Sequence, residues 1–383
     1  MTSCINAAFA NSESNNALDF DDTMFVGQVS HSGATVIPPA IAVGEATHST
    51  GKDLLTAIIL GYEILSRIGN SLIVSHSRHK KVSGMQTYQT FGAVTASSKL
   101  LDLDEEATAM AFGLTGCAAP VPSLYKTAMN PANKLFGGPM FRNNYGYASE
   151  IGVKAALLAQ RGYTGPKDVF EGDFGFWRMS GIADRCNFDV MTKGLGKDYY
   201  ILKVGFKPYS CCRLYHAMID AALKIVREHN LGMDNIEKIT VKERLASLPP
   251  NDDAEPKTML SAMNSKPYSI AIAITGLKPG LRWYENLKDP KVLGLAKKVE
   301  LIRDPEQRGV NVEIVSSKGT FKDHADSPRG EPENPMTDEE LIDKFKDLAE
   351  GVINNGTAEK VLDMIKNLEK VEDIAELTQR LRE

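Results

Sequence analysis

Long apolar runs are missing from this 383-residue chain: no stretch approaches the roughly 18 consecutive apolar residues that cross a bilayer, and the N-terminus lacks a basic region followed by a long apolar core. A soluble, cytoplasmic protein is therefore expected. Blocks of like charge are also missing. A net charge of −5 with the signs interspersed offers no footprint for nucleic acid and no polybasic membrane patch, so neither partner is expected. The five cysteines, Cys4, Cys117, Cys186, Cys211 and Cys212, are odd in number and have no CxxC spacing, which suits thiols in a reducing compartment better than a disulfide framework. Adjacent Cys211 and Cys212 lack the spaced pairs that a zinc site uses, so no metal is assigned. There is no internal repeat and no low-complexity segment.

What is present suits two domains, each long enough to bury a core without staples. The densest chemistry lies in Asp19-Phe20-Asp21-Asp22-Thr23, followed by His31-Ser32-Gly33, which packs carboxylates, a hydroxyl and an imidazole into one short segment. Carboxylates this close cannot all ionise cheaply in a pocket, and an imidazole titrates near neutrality, so this is the composition of an acid–base site. The same Asp residues also fit a solvated cluster that starts a helix.

Thr50-Gly51-Lys52-Asp53 has capping-box spacing, and Leu54, Leu55, Ile58, Ile59, Tyr62, Ile64 and Leu65 recur at helical intervals behind it, with Glu63 and Arg67 four apart. Small-residue stretches at 91–101, 105–116 and 147–160 predict buried helices that pack closely. Near Tyr199 the pattern changes. Ile201, Val204 and Phe206 read as a strand, 216–228 as an amphipathic helix, and Ile236, Ile239 and Val241 as a further strand; Val310, Val312 and Ile314 precede a turn at 316–319 and a returning strand. A breaker-rich linker at 327–335 leads to a helix capped by Thr337-Asp338-Glu339-Glu340 and a helical tail. The expected fold is mainly α with an α+β second domain: residues 1–198 and 336–383 form a discontinuous helical domain, and 199–335 a smaller lid domain.

In order along the chain, Ala7-Ala8-Phe9-Ala10-Asn11, the Leu18 to Thr23 segment, the His31 loop, Gly51-Lys52-Asp53-Leu54-Leu55-Thr56-Ala57 with Gly61-Tyr62-Glu63, Gly162-Tyr163-Thr164-Gly165-Pro166, Phe206-Lys207-Pro208-Tyr209-Ser210-Cys211-Cys212 ending in His216, and Arg329-Gly330 resemble the MmgE/PrpD family. That family includes 2-methylcitrate dehydratases, cis-aconitate decarboxylases and an iminodisuccinate epimerase, which work without metal or organic cofactor. The resemblance implies a helical domain with a lid domain inserted before the last helices, an active site between them, a homodimer, no cofactor, and a small carboxylate substrate. It also implies further helices ahead of the segment that begins here at Ala7.

Such chemistry needs cations to hold carboxylates and an acid–base pair across the reacting carbons. The resemblance places His31 as proton donor or acceptor, Asp19 as the group that orients or tunes it, and Thr23 as a substrate contact. Lys207 and His216, which frame the Pro208–Cys212 turn, would together grip one carboxylate, with His216 opening a helix whose N-terminus favours an anion. Tyr268 matches a lid tyrosine that donates a hydrogen bond or proton. Two positions depart from the pattern. Where relatives carry Lys-x-x-His-x-Gly this chain reads Phe141-Arg142-Asn143-Asn144-Tyr145-Gly146, so Arg142 replaces the Lys as a carboxylate binder but cannot act as a base. A second catalytic His would fall near Ser83, and the nearest imidazole is His79, in a basic cluster that reads either as a displaced substrate contact or as a solvated loop.

The reading is a cofactor-independent lyase, dehydratase in type, acting on a small hydroxylated or unsaturated polycarboxylate by proton abstraction alpha to a carboxylate. An isomerase or epimerase using the same abstraction, and a cis-aconitate-type decarboxylase, stand beside it. Asp19-x-Asp21-Asp22 also resembles the acid motif of class II terpene cyclases, but 7 % aromatic residues and two Trp provide little to line a carbocation pocket. Outside enzymology, the chain could be an inactive relative that binds a polycarboxylate without turnover.

Overall fold

The computed structural model describes residues 2–25, 30–79, 81–82, 84–121, 144–244 and 252–382. Its first part is a helical unit of α1 (Cys4–Asn16), α2 (Ser32–Thr47), α3 (Gly51–Ser71), α4 (Gly84–Leu100), α5 (Glu105–Ala118) and α6 (Tyr145–Gln160). The Thr50 hydroxyl accepts from Asp53 N, as the capping spacing predicts, and starts α3. Helices α3 and α4 touch where Gly61 meets Gly92: a Cβ on Gly61 would lie 2.6 Å from Val36 Cγ1 and 3.1 Å from the Gly92 carbonyl. Glycine at both positions is what lets the two backbones approach. Phe91 anchors the core, with ring centroids 4.9–5.6 Å from Phe112, Phe170 and Phe176.

The Glu63–Arg67 pair is buried, at 2.5 Å, and each partner has a second bond that fixes the segment leading out of the unit. Arg67 Nη1 donates to Lys193 O at 2.7 Å, and Glu63 Oε2 accepts from Tyr200 N at 2.7 Å. This explains a departure from the sequence expectation. The strand predicted over Ile201, Val204 and Phe206 is a 3-10 turn at Tyr200–Lys203. Ile201 and Val204 pack on the helical core, so their spacing reflects that packing and not a sheet face. Extended pairing survives only as one antiparallel bridge between Gly205 and Thr23.

The second unit is α+β. Strands β1 (Ile236–Glu243), β2 (Val299–Arg303), β3 (Val310–Ser316) and β4 (Gly319–Ala325) form one sheet in the order β2-β1-β3-β4, with β1 parallel to β2 and antiparallel to β3. The predicted hairpin is β3–β4, turning through Ser317 and Lys318. A register shift between Ile236 and Lys238 explains how Ile236 and Ile239, three apart, are both buried. Helix α7 (His216–Glu228) packs on β3 and β4, and α8 (Lys266–Ile274) packs on α7.

The tail holds α9 (Asp338–Ala349), α10 (Asn355–Lys366) and α11 (Ile374–Arg380). Helix α9 begins with the predicted Thr337/Glu340 capping box and is tied to the α+β unit by Lys278–Asp347, Arg282–Glu350 and Arg329–Glu340. Ile374 on α11 is buried in the helical core. The chain is thus mainly α with an α+β second part. Among the described residues, no helix is long and apolar enough to cross a membrane.

Candidate active site

The acid-rich segment is neither a helix start nor a solvated cluster. It is the connection that leaves α1 and crosses to the α+β unit before α2 begins. Asp19 makes the turn with φ of 49°, a left-handed conformation that Asp tolerates better than most residues. The turn carries its fully buried carboxylate to Lys207, whose ammonium bonds that carboxylate and, at 3.1 Å, the Asp19 carbonyl. The connection is held from the same side by Ser210 Oγ donating to Leu18 O at 2.6 Å and by the two main-chain bonds between Thr23 and Gly205, at 2.9 and 2.8 Å.

Asp21 is the carboxylate that meets the imidazole. Its Oδ2 lies 2.9 Å from His31 Nδ1, while its Oδ1 accepts from Asn16 Nδ2 at 2.9 Å and lies 3.7 Å from Lys207 Nζ. An ionised Asp21 keeps the proton on Nδ1 and leaves Nε2 as the basic nitrogen, and it also stabilises the imidazolium once Nε2 takes a proton. His31 is only 6 % exposed, at the N-cap of α2, with its ring 5.7 Å from Tyr145.

Asp22 caps α2 from outside the helix. Its carboxylate accepts from Gly33 N at 3.0 Å and from Tyr62 OH at 3.0 Å. A Cβ on Gly33 would lie 2.0 Å from Asp22 Oδ1, so only glycine admits this contact. Desolvation, with the Asp21 charge beside it, pushes Asp22 up to about 7.

His216 is fully buried and neutral. Arg213 Nη1 donates to its Nδ1 at 3.0 Å, which leaves Nε2–H to donate to Cys211 O at 3.3 Å. Burial, and then the charges of Arg213 and Lys207, hold it well below the usual imidazole range. Arg213 in turn bonds Glu331 through Nε at 2.7 Å and Arg329 O at 2.8 Å. His216 therefore ties Cys211 to Arg213 within the segment that follows Lys207 and is not a second cation beside Lys207.

Asp19, Asp21 and His31 offer three ligand atoms within 4.8 Å of one another, a set that can hold a metal ion. The Lys207 ammonium already bridges the two carboxylates and balances their charge.

Residues 1–188 match the model of the MmgE/PrpD N-terminal domain, and residues 209–370 match that of the MmgE/PrpD C-terminal domain. The chain belongs to the MmgE/PrpD family. Among curated relatives it is similar to the cis-aconitate decarboxylase of Aspergillus terreus (strain NIH 2624 / FGSC A1156), 25 % identical over 98 % of this chain and 80 % of the relative. It is likewise similar to the cis-aconitate decarboxylases of Homo sapiens, at 27 % over 98 % of this chain and 79 % of the relative, and of Mus musculus, at 26 % over 98 % and 78 %.

Of the site residues that the family resemblance implies, Asp19, Thr23, His31, Lys207 and His216 come together around this one connection. Thr23 is fully buried and its Oγ1 has no hydrogen-bond partner among the described residues. Tyr268 lies in the core of the α+β unit, where its phenol donates to Trp283 O at 2.5 Å and burial pushes it well above its ordinary range. Arg142 lies outside the described residues, as does the side chain of His79, whose backbone is in the short helix His76–His79. Two residues are missing from the set that sequence reasoning picks out. Asp21 sits in the motif, but the resemblance assigns the tuning role to Asp19. Lys344, on α9, donates to Phe20 O at 2.6 Å and Lys207 O at 3.0 Å, and burial with the Lys207 charge lowers it to about 7. The signal for Lys344 is its place at i+3 in the apolar stripe Leu341, Phe345 and Leu348.

Proposed function

We propose that this chain is a lyase acting on a small polycarboxylate, with His31 and Asp21 moving a proton at the carbon next to a carboxylate. The observation that supports it most is the 2.9 Å His31–Asp21 pair beside a buried lysine, because a carboxylate on Nδ1 fixes the ring and leaves Nε2 to take and return a proton. The names of the relatives put decarboxylation of an unsaturated tricarboxylate of the cis-aconitate kind ahead of dehydration. In that reaction the imidazolium Nε2 gives its proton to one carbon of the double bond. The bond to the departing carboxylate breaks, and its electron pair forms the shifted double bond as carbon dioxide leaves. Thr23 Oγ1 is a substrate contact in this reading. Lys207 holds Asp19 and Asp21 in place in this reading and so fixes the carboxylate that backs His31.

A hydro-lyase would use the same proton movement on a hydroxylated acid and release water. Proton NMR in deuterium oxide with citrate, 2-methylcitrate, cis-aconitate, malate, tartrate and aspartate-type acids separates the cases, with no metal added and again with EDTA. Carbon dioxide release with one deuterium placed on carbon supports decarboxylation, and water loss supports dehydration. Deuterium exchange without a new compound overturns the lyase reading in favour of an epimerase. No turnover of any acid by the folded protein overturns it in favour of a binding role.

A further inference from the structure

We propose that Lys344 is a positioning residue whose ammonium sets the spacing between the Asp21–His31 pair and Lys207 by holding the main chain of both segments. The inference rests on the lyase reading for its kinetic consequence. Phe20, whose carbonyl takes one bond, lies between Asp19 and Asp21. The other bond goes to the carbonyl of Lys207 itself. The same ammonium sits 3.8 Å from the centroid of the buried Phe20 ring, so it contacts this connection at two places. Lys344 thus joins three elements: the connection from the helical unit, the Lys207 segment and the tail helix.

Desolvation works against the charge of this lysine, and an apolar side chain here would avoid that cost while leaving the Phe20 and Lys207 carbonyls without these donors. Helix α9 also has anchors of its own in Lys278–Asp347, Arg282–Glu350 and Arg329–Glu340, none of which involves Lys344. What an apolar residue would not supply is a pair of donors that hold the Phe20 and Lys207 carbonyls together. Misplacement of reacting groups by about 1 Å costs on the order of 100-fold in rate, so a device that holds these two segments in register acts on turnover more than on binding.

The test compares Lys344→Met and Lys344→Arg with the wild-type chain. In Lys344→Met, kcat is expected to fall about 10- to 100-fold with KM within about threefold, and Lys344→Arg, which keeps donors for both carbonyls, should recover most of the loss. A raised KM at unchanged kcat would mean that Lys344 binds substrate directly and would overturn the proposal, as would unchanged kinetics. A second readout needs no substrate. With 15N-labelled histidine, the His31 ring signals should move in Lys344→Met while those of His229 and His324, on the α+β unit, stay in place. Unmoved His31 signals overturn the proposal, and this arm decides alone if the wild-type protein turns over none of the acids. If Lys344→Met does not fold, Lys344→Gln against Lys344→Arg carries the same comparison.

Discussion

Asp21→Asn is the sharpest perturbation of the candidate site, because the surroundings of Asp21 dictate how the new amide must turn. The Oδ1 side faces two donors, Asn16 Nδ2 at 2.9 Å and the Lys207 ammonium at 3.7 Å. The amide oxygen of the variant side chain must occupy that side, since the alternative sets three donors against one another. The amide NH2 then points at His31 Nδ1, which becomes an acceptor, and the ring proton moves to Nε2. The variant therefore loses the negative charge that stabilises the imidazolium and also carries the tautomer that cannot accept a proton at Nε2. A hydrogen bond to a charged group contributes about 1.5–3 kcal/mol, and with the tautomer reversed the upper end applies: about 3 kcal/mol, or roughly 150-fold in kcat. Substrate affinity should change little, because Asp21 already carries bonds to its neighbours. The assay is steady-state kinetics with the acid found in the NMR panel, together with 15N NMR of the labelled imidazole to read the tautomer. A folded Asp21→Asn protein with kcat within about threefold of wild type would refute the reasoning. So would a ring proton still on Nδ1.

His31→Ala should lower turnover by about two to four orders of magnitude while the fold persists, since the imidazole lies at a helix N-cap and forms no part of either core; near-normal turnover in a folded variant removes His31 from the mechanism. Asp22 is raised to about 7, so the folded protein binds more protons than the unfolded chain between about pH 4 and 7, and this carboxyl lowers stability as pH rises through that window. Asp22→Asn keeps a carbonyl for Gly33 N and reverses the Tyr62 bond, its NH2 donating to the phenol oxygen, and its Tm should be less pH-dependent than wild type there; parallel Tm curves would sink the assignment. Lys344 has the opposite sign, because its lowered folded-state pKa of about 7 makes stability rise between about pH 7 and 10, and Lys344→Met should remove that rise in denaturant melts. Gly33→Ala drives a methyl into Asp22 Oδ1 and should cost about 1–3 kcal/mol by denaturant melting, with loss of turnover through the displaced start of α2; a neutral Gly33→Ala would show that the contact is dispensable.

Local signals carried most of the fold. The Thr50 and Thr337 caps, the stripe of α7 and the β3–β4 hairpin are each decided within a few residues, and the structure has them where the sequence puts them. The run from Ile201 to Phe206 misleads because period-two spacing of apolar residues is also what a chain shows when it turns once against a helical core, and here a buried Glu63 holds Tyr200 N and enforces that turn.

The candidate site is legible in the sequence as a composition and illegible as an arrangement. Asp19 and Asp21 are equivalent in sequence terms, both near His31 in number and identical in chemistry. The left-handed turn at Asp19 separates their roles, by sending one carboxylate to Lys207 and leaving the other for the imidazole. His216 is similar: the motif places a histidine at a helix start, but only the fold brings Arg213 onto its Nδ1 and so makes it a neutral donor to Cys211 O. Lys344 lies far along the chain from both carbonyls it serves, and its lone charge on an apolar stripe is the sole trace of those distant bonds. Long-range partners decide which of several chemically identical groups holds a proton, and those partners are set by the packing of two units that each form from their own local patterns. It follows that the substitutions most informative about this site are those that change a partner and leave the proton-carrying group alone, with Asp21→Asn and Lys344→Met as the two such cases.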